Sequence, residues 1–64
     1  MYNVTDNGVQ VLEAATLAEL VGWLQLVHVS CTSWDERHLL RMRQPRDVHG
    51  IITPDHRIEI RLTR

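Results

Sequence analysis

The side chains able to do nucleophilic chemistry are one cysteine and four histidines. Cys31 is the only thiol, and the imidazoles belong to His28, His38, His49 and His56. A catalytic thiolate needs an adjacent imidazole and an orienting carboxylate. No local signature surrounds Cys31, and a chain of 64 residues has little room for a substrate cleft. We therefore predict a buried structural cysteine, no enzymatic activity and no small-molecule substrate.

The same side chains are poorly spaced for holding a metal ion. His28-x-x-Cys31 is a single loose pair, whereas structural zinc sites use paired clusters of ligands. The isolated Gly8, Gly22 and Gly50 do not form a phosphate-binding loop. The sequence therefore predicts neither a metal site nor a cofactor site.

Charge is divided unevenly along the chain. All seven basic side chains are Arg, and no Lys is present. Residues 1–36 contain five acidic and no basic side chains, for a net charge of −5, and residues 37–64 have a net charge of +4. These poles either attract each other within the fold or present an Arg-rich surface to an acidic partner.

Three apolar side chains look poorly placed for so small a core, namely Trp23, Leu26 and Trp34. Trp and Arg are the residue types that dominate interface hot spots. We therefore predict a non-enzymatic regulatory or interaction protein that binds another protein, or a second copy of itself as a homodimer. The predicted partner-binding residues are apolar anchors and guanidinium groups: Trp23, Leu26, Trp34, Arg37, Arg41, Arg57 and Arg61.

Nucleic-acid binding through the Arg-rich C-terminal half is the alternative. Arg37 and Arg41 stand one turn apart if their segment is helical, and an anionic partner would relieve their repulsion. The other arginines that could extend this surface are Arg43, Arg46, Arg57, Arg61 and Arg64. A pI of about 6.4 and the lack of a recognition-helix, zinc-finger or RNA-binding signature weigh against this alternative.

Length and composition predict a single small domain over residues 1–64, located in the cytoplasm. The chain opens without a signal-peptide pattern, and its apolar runs are too short to cross a bilayer, so we expect no membrane contact. One cysteine cannot form an internal disulfide. A compact, lysine-free chain fits an inhibitor of a host protein encoded by a bacteriophage or mobile element of a GC-rich host.

The first element that could position these side chains is a hairpin at the N-terminus. Apolar residues alternate on both sides of Asn7-Gly8, a dipeptide that favours a two-residue type I′ turn. In the resulting register Val4 faces Val11.

A helix is predicted next, over Leu17–Leu26. Thr16 and Glu19 form a capping-box pattern at its start. The predicted core-facing stripe has helical spacing and consists of Leu17, Leu20, Val21, Leu24 and Val27.

The middle of the chain allows two interpretations. Residues 27–32 are either a short strand or an extended connection. Ser33 and Glu36 suggest a second capping box with Ser33 as N-cap, which favours a short helix from Trp34 towards Arg43. A strand over residues 38–44 fits the alternation of the same segment.

The C-terminal third reads as a second hairpin, with strands over Gly50–Thr53 and Arg57–Thr63 and a turn at residues 54–56. Ile58, Ile60 and Leu62 are expected to face inward. We therefore predict an α+β fold in which an antiparallel sheet from the N-terminal and C-terminal hairpins packs on one main helix, with a possible short second helix.

Overall fold

The computed structural model describes residues 1–63 and has the predicted α+β fold. Its strands form one four-stranded antiparallel sheet in the order β2-β1-β4-β3, so the two hairpins share a sheet as predicted. In chain order the elements are β1 (Tyr2–Asp6), β2 (Val9–Ala14), α1 (Leu17–Leu26), α2 (Ser33–Arg41), β3 (Val48–Ile52) and β4 (Arg57–Leu62).

The first hairpin turns at Asn7 and Gly8, as predicted, but its register differs from the predicted one. Asn7 has φ of 52° and Gly8 has φ of 84°, which are the positive angles that a type I′ turn requires. The register shifts between Val4 and Thr5, so Val4 pairs with Leu12 and not with Val11. This irregularity turns Leu12 and Ala14 towards the core.

Helix α1 spans the predicted residues and is capped by Thr16. The Thr16 hydroxyl accepts a hydrogen bond from the Glu19 N–H at 3.2 Å. The Glu19 carboxylate accepts from the Ala15 N–H at 3.4 Å, one residue before the N–H expected for a capping box. Leu20 and Leu24 are fully buried, and Leu17 and Val27 pack against the core, so four of the five residues of the predicted stripe, all but Val21, face the core.

Residues 34–41 are helical, so the strand alternative for this segment is wrong. The N-cap is Thr32 and not Ser33, and its capping-box partner is Asp35 and not Glu36. Residues 27–32 form a connection without a strand.

The second hairpin closes where the sequence predicts it. The Thr53 N–H donates to the His56 carbonyl at 2.8 Å across the turn. Ile58 and Ile60 are fully buried, which confirms their predicted inward direction. Strand β3 begins at Val48, two residues earlier than predicted, and this extension brings His49 into the sheet.

Both helices pack on one face of the sheet. The core combines buried residues of the strands and of both helices, namely Val4, Ala14, Leu20, Leu24, Val29, Leu39, Met42, Ile51, Ile58 and Ile60. The opposite face, which we call the open face, carries the alternate residues of each strand. Neither helix within residues 1–63 has the length and apolar character that crossing a membrane requires.

Candidate functional site

The most enclosed polar contact joins Asp35, in the first turn of α2, to His49 on β3. Asp35 Oδ1 lies 2.8 Å from His49 Nε2, and both residues are buried. The other carboxylate oxygen accepts from the backbone N–H and the hydroxyl of Thr32, both at 2.9 Å. One carboxylate therefore caps the helix and also holds an imidazole that lies 14 residues away in the chain.

Two opposing effects act on the pKa of the Asp35 carboxyl. Burial raises this pKa because a buried carboxylate loses hydration, whereas hydrogen bonds from Thr32 and His49 lower it. The hydrogen bonds together outweigh burial, so the pKa lies below its ordinary value of 3.8. Asp35 is therefore ionised at neutral pH and serves as a fixed acceptor.

Three aromatic rings, two of them outside the buried pair, pack against one another. The ring centroid of Trp34 lies 4.1 Å from that of His38 and 5.8 Å from that of His49. The two imidazoles are 5.5 Å apart, with 27° between their planes. The two distances to His49 fall in the usual range of favourable aromatic contacts, and Trp34 and His38 are closer still. The Asp35–His49 pair therefore supports the position of Trp34.

The outer side of α2 places a tryptophan beside two guanidinium groups. Trp34, Arg37, His38 and Arg41 recur at helical spacing, and we call these four residues the α2 surface. All four are exposed, and Trp34 is 60% exposed. The ion pairs found within residues 1–63 involve neither Arg37 nor Arg41. The α2 surface therefore offers a large ring and two cations to a partner.

A shallow cavity of about 220 Å³ lies between α2 and the start of β3. It is smaller than the several hundred Å³ of typical small-molecule sites. Its lining has imidazole, guanidinium and carboxylate groups but no hydroxyl or thiol, and consists of His38, Arg41, Met42, Asp47, Val48 and His49. The Asp35–His49 pair resembles the base half of a nucleophilic site, yet no nucleophile lines the cavity beside it.

Cys31 is a free thiol packed against the core, but it is half-buried and not buried as predicted. Burial raises the pKa of this thiol, and the nearby carboxylates of Asp35 and Glu36 raise it further. A raised pKa leaves less thiolate at neutral pH, and thiolate is the form that attacks electrophiles or binds metals. Among the described residues, no group of three or more His, Cys, Asp and Glu side chains is arranged to hold a metal ion.

The other two predicted apolar anchors lie on α1 and differ in exposure. Trp23 is half-buried and packs against the core, so part of its surface is already used within the fold. Leu26, the last residue of α1, is 78% exposed. The three anchors are therefore divided between two helices.

The predicted arginines are divided between two sides of the molecule. Arg57 and Arg61 alternate along β4 with the buried Ile58 and Ile60, so they point to the open face, away from the α2 surface. Arg61 lies 3.6 Å from the Glu59 carboxylate on the same strand. The structure therefore does not bring Arg57 and Arg61 together with the arginines of α2.

A second imidazole–carboxylate pair fastens the two hairpins to each other. His56 Nδ1 lies 2.7 Å from Asp6 Oδ2, and the Arg57 N–H donates to Asp6 Oδ1 at 3.3 Å. This contact joins the turn of the second hairpin to the end of β1. Its position between hairpin ends indicates a structural role.

Sequence reasoning missed the group that supports Trp34. Asp35, His38 and His49 were not among the predicted partner-binding residues. A local signal for Asp35 exists, because Thr32 and Asp35 have the spacing of a capping box. His49 has no such signal, because it meets Asp35 only after α2 packs on β3.

Comparison with known proteins gave no match. Neither a protein-family model, nor a curated protein, nor a solved structure matches this chain.

Proposed function

We propose that this protein acts by binding another protein through the α2 surface, without catalysing a reaction. The observation that carries this proposal is the 60% exposure of Trp34 beside the exposed Arg37 and Arg41. Trp and Arg are the residues whose truncation most often weakens an interface. The Trp34 ring packs against that of His38, with 45° between their planes, so it loses less conformational freedom when a partner covers it.

The charge of this surface defines the class of partner. Arg37 and Arg41 favour an acidic surface with an apolar recess for Trp34, because guanidinium groups pair with carboxylates in two-pronged contacts. Such a partner would be met in the cytoplasm. A regulator that inhibits a host protein on behalf of a bacteriophage or mobile element is the role we assign to a binding protein of this size.

The test is quantitative affinity capture from lysate with three tagged chains: wild type, Trp34→Ala and Val9→Ala. Val9 is the matched control, because it is also an exposed apolar residue but lies on β2, at the far edge of the sheet from β3. We expect Trp34→Ala to weaken binding of a captured protein about 30-fold, as for a hot-spot residue. Val9→Ala should leave capture unchanged.

Two results would contradict the proposal. The first is equal capture by the wild type and the Trp34→Ala variant. The second is loss of the captured material after nuclease treatment, which would mean that a nucleic acid had bridged the contact. Circular dichroism of each variant ensures that a loss of capture reflects the surface and not unfolding.

Nucleic-acid binding is the second candidate, and one observation favours it. An exposed Trp34 beside Arg37 and Arg41 can stack on a base while the guanidinium groups contact phosphates. A single-stranded oligonucleotide titration decides between the candidates. Affinity that falls steeply with salt and is lost in Trp34→Ala would support this candidate, whereas no binding at low salt would exclude it.

A further inference from the structure

Strand β3 is an edge of the sheet that nothing in the described fold covers. It pairs with β4 on one side only. Its sequence, Val-His-Gly-Ile-Ile, contains none of the charged residues, prolines or register shifts that usually protect an edge. The opposite edge, β2, has both a register shift and the charged Glu13. The unprotected edge is therefore β3.

The alternation of hydrogen-bonded and non-hydrogen-bonded pairs in the second hairpin shows which backbone groups this edge presents. Thr53 and His56 form a hydrogen-bonded pair, and such pairs alternate along an antiparallel ladder. Ile51 therefore exchanges hydrogen bonds with β4, and so does His49. The N–H and C=O groups of Val48, Gly50 and Ile52 consequently point outward, along the free edge.

We infer that this edge pairs with β3 of a second copy of the chain, antiparallel and centred on Gly50. This pairing goes beyond the proposed function, because it uses a different surface from α2. A two-fold axis at Gly50 places Val48 of each copy opposite Ile52 of the other. All three outward-pointing residues then fall in hydrogen-bonded pairs, which gives about six hydrogen bonds between the copies.

In the same register, the apolar side chains on the edge of one copy lie against those of the other copy. Val48 is 46% exposed and Ile52 is 75% exposed, and both lie on the open face. The pairing would cover each one with the other across the axis. Gly50 lies at the axis, and a Cβ placed there would meet only the Ile58 carbonyl, at 3.9 Å.

The self-complementary register favours a second copy over an unrelated strand. The free edge presents two exposed apolar side chains, Val48 and Ile52, and the strand carries no Asp, Glu, Lys or Arg. The two-fold pairing covers both of these side chains with the apolar side chains of the same edge.

The test compares two double variants: Val48→Lys with Ile52→Lys, and Val48→Lys with Ile52→Glu. They differ only at position 52, in the sign of the charge. In a single chain these positions are four residues apart on an extended strand and do not touch each other. Each one does lie opposite an arginine of β4, Val48 opposite Arg61 and Ile52 opposite Arg57, so circular dichroism of both variants must first show that they fold. In the proposed register each position 48 lies against position 52 of the other copy. The first variant therefore places like charges together, and the second places opposite charges together.

The readout is the molar mass in solution, measured by light scattering over a range of concentrations. We expect the wild type and the Lys–Glu variant to reach twice the chain mass of 7.5 kDa, and the Lys–Lys variant to remain at the single mass. Trp34→Ala should dimerise like the wild type, so failure here and failure of the α2 proposal are distinguishable. A monomeric wild type, or equal masses for both double variants, would overturn the inference.

Amide hydrogen exchange of the wild type provides a measurement that needs no substitution. In a monomer the amides of Val48, Gly50 and Ile52 face solvent and exchange rapidly. In the proposed dimer they are hydrogen-bonded, so their protection should increase with protein concentration while that of Ile58 stays high throughout. Rapid exchange at every concentration would refute the pairing.

Discussion

Replacing Asp35 by Ala should destabilise the protein more than any other single change at an acidic residue. The substitution removes the capping-box partner of Thr32, which contributes about 1 kcal/mol in typical helices. It also removes the buried contact with His49 at 2.8 Å, and a hydrogen bond to a charged group contributes about 1.5–3 kcal/mol. The expected loss is about 3 kcal/mol.

This loss is large for so small a domain. A stability of about 0.05–0.15 kcal/mol per residue corresponds to about 3–10 kcal/mol for the whole chain. A loss of about 3 kcal/mol lowers Tm by about 12–24 °C at the usual 4–8 °C per kcal/mol. Thermal unfolding followed by circular dichroism measures the shift, at one fixed protein concentration because self-association raises the apparent stability.

The pH dependence separates the charge of Asp35 from its volume. The pKa of Asp35 is lowered in the folded protein, so the unfolded chain binds more protons in acid. The stabilisation is therefore fully present above the ordinary pKa of 3.8 and is lost as pH falls through the folded pKa. Asp35→Asn keeps the size of the side chain but lacks this pH-dependent contribution.

The stability difference between wild type and Asp35→Asn should therefore shrink as pH is lowered below 4. Asp47→Asn is the comparison for an acid without a buried imidazole partner: the pKa of Asp47 is also lowered, first by hydrogen bonds from the Gln44 and Arg43 amides, so its stability difference should shrink in the same direction but show no coupling to His49. A double-mutant cycle with His49→Gln then measures the coupling across the contact. A difference that stays constant with pH, together with zero coupling, would refute this account of the Asp35–His49 pair.

Two further predictions concern the frame that holds the site. Leu39 is fully buried in α2, so Leu39→Ala should lower the free energy of unfolding by about 2–5 kcal/mol through lost burial and a residual cavity. Urea unfolding measures this loss, and a loss below about 1 kcal/mol would contradict the core position of Leu39. Gly8 has φ of +84° in the first turn, so Gly8→Ala should cost about 1 kcal/mol through backbone strain. Gly22→Ala is its control, because a Cβ at that helical position would meet open space, and this variant should be as stable as the wild type or more so.

Local signals predicted most of the frame. The Asn7-Gly8 dipeptide predicted the first turn, and the capping pattern at Thr16 predicted the start of α1. The alternation of apolar and polar residues in β4 predicted its buried face. Each of these signals depends on residues within about one turn or one strand of each other. The register of the first hairpin could not be predicted in this way, because Val9 and Val11 alternate as well as Leu12 and Ala14 do. Packing against the helix layer selects Leu12 and Ala14.

The start of α2 shows the same limit more sharply. Ser33 with Glu36 and Thr32 with Asp35 are equally good capping boxes by spacing. The structure uses Thr32 with Asp35, whose carboxylate also contacts the buried His49 on β3. A contact between residues so far apart in the chain gives no sequence pattern. The candidate site was therefore predicted in its exposed residues, Trp34 and the α2 arginines, and missed in the residues that hold Trp34 in place.

The two inferred contacts would reinforce each other through geometry. A two-fold axis through paired β3 edges runs perpendicular to the sheet, so both helix layers lie on the same side of the joined sheet. Because α2 packs against β3, the two α2 helices would lie near that axis, on the same side of the joined sheet. A partner that is itself two-fold symmetric would then be held at two points, and such pairing can strengthen binding by about 10²–10⁴ over one contact. Dimerisation through β3 would thus favour acidic partners that are themselves two-fold symmetric. The dimer itself requires no contact from Trp34.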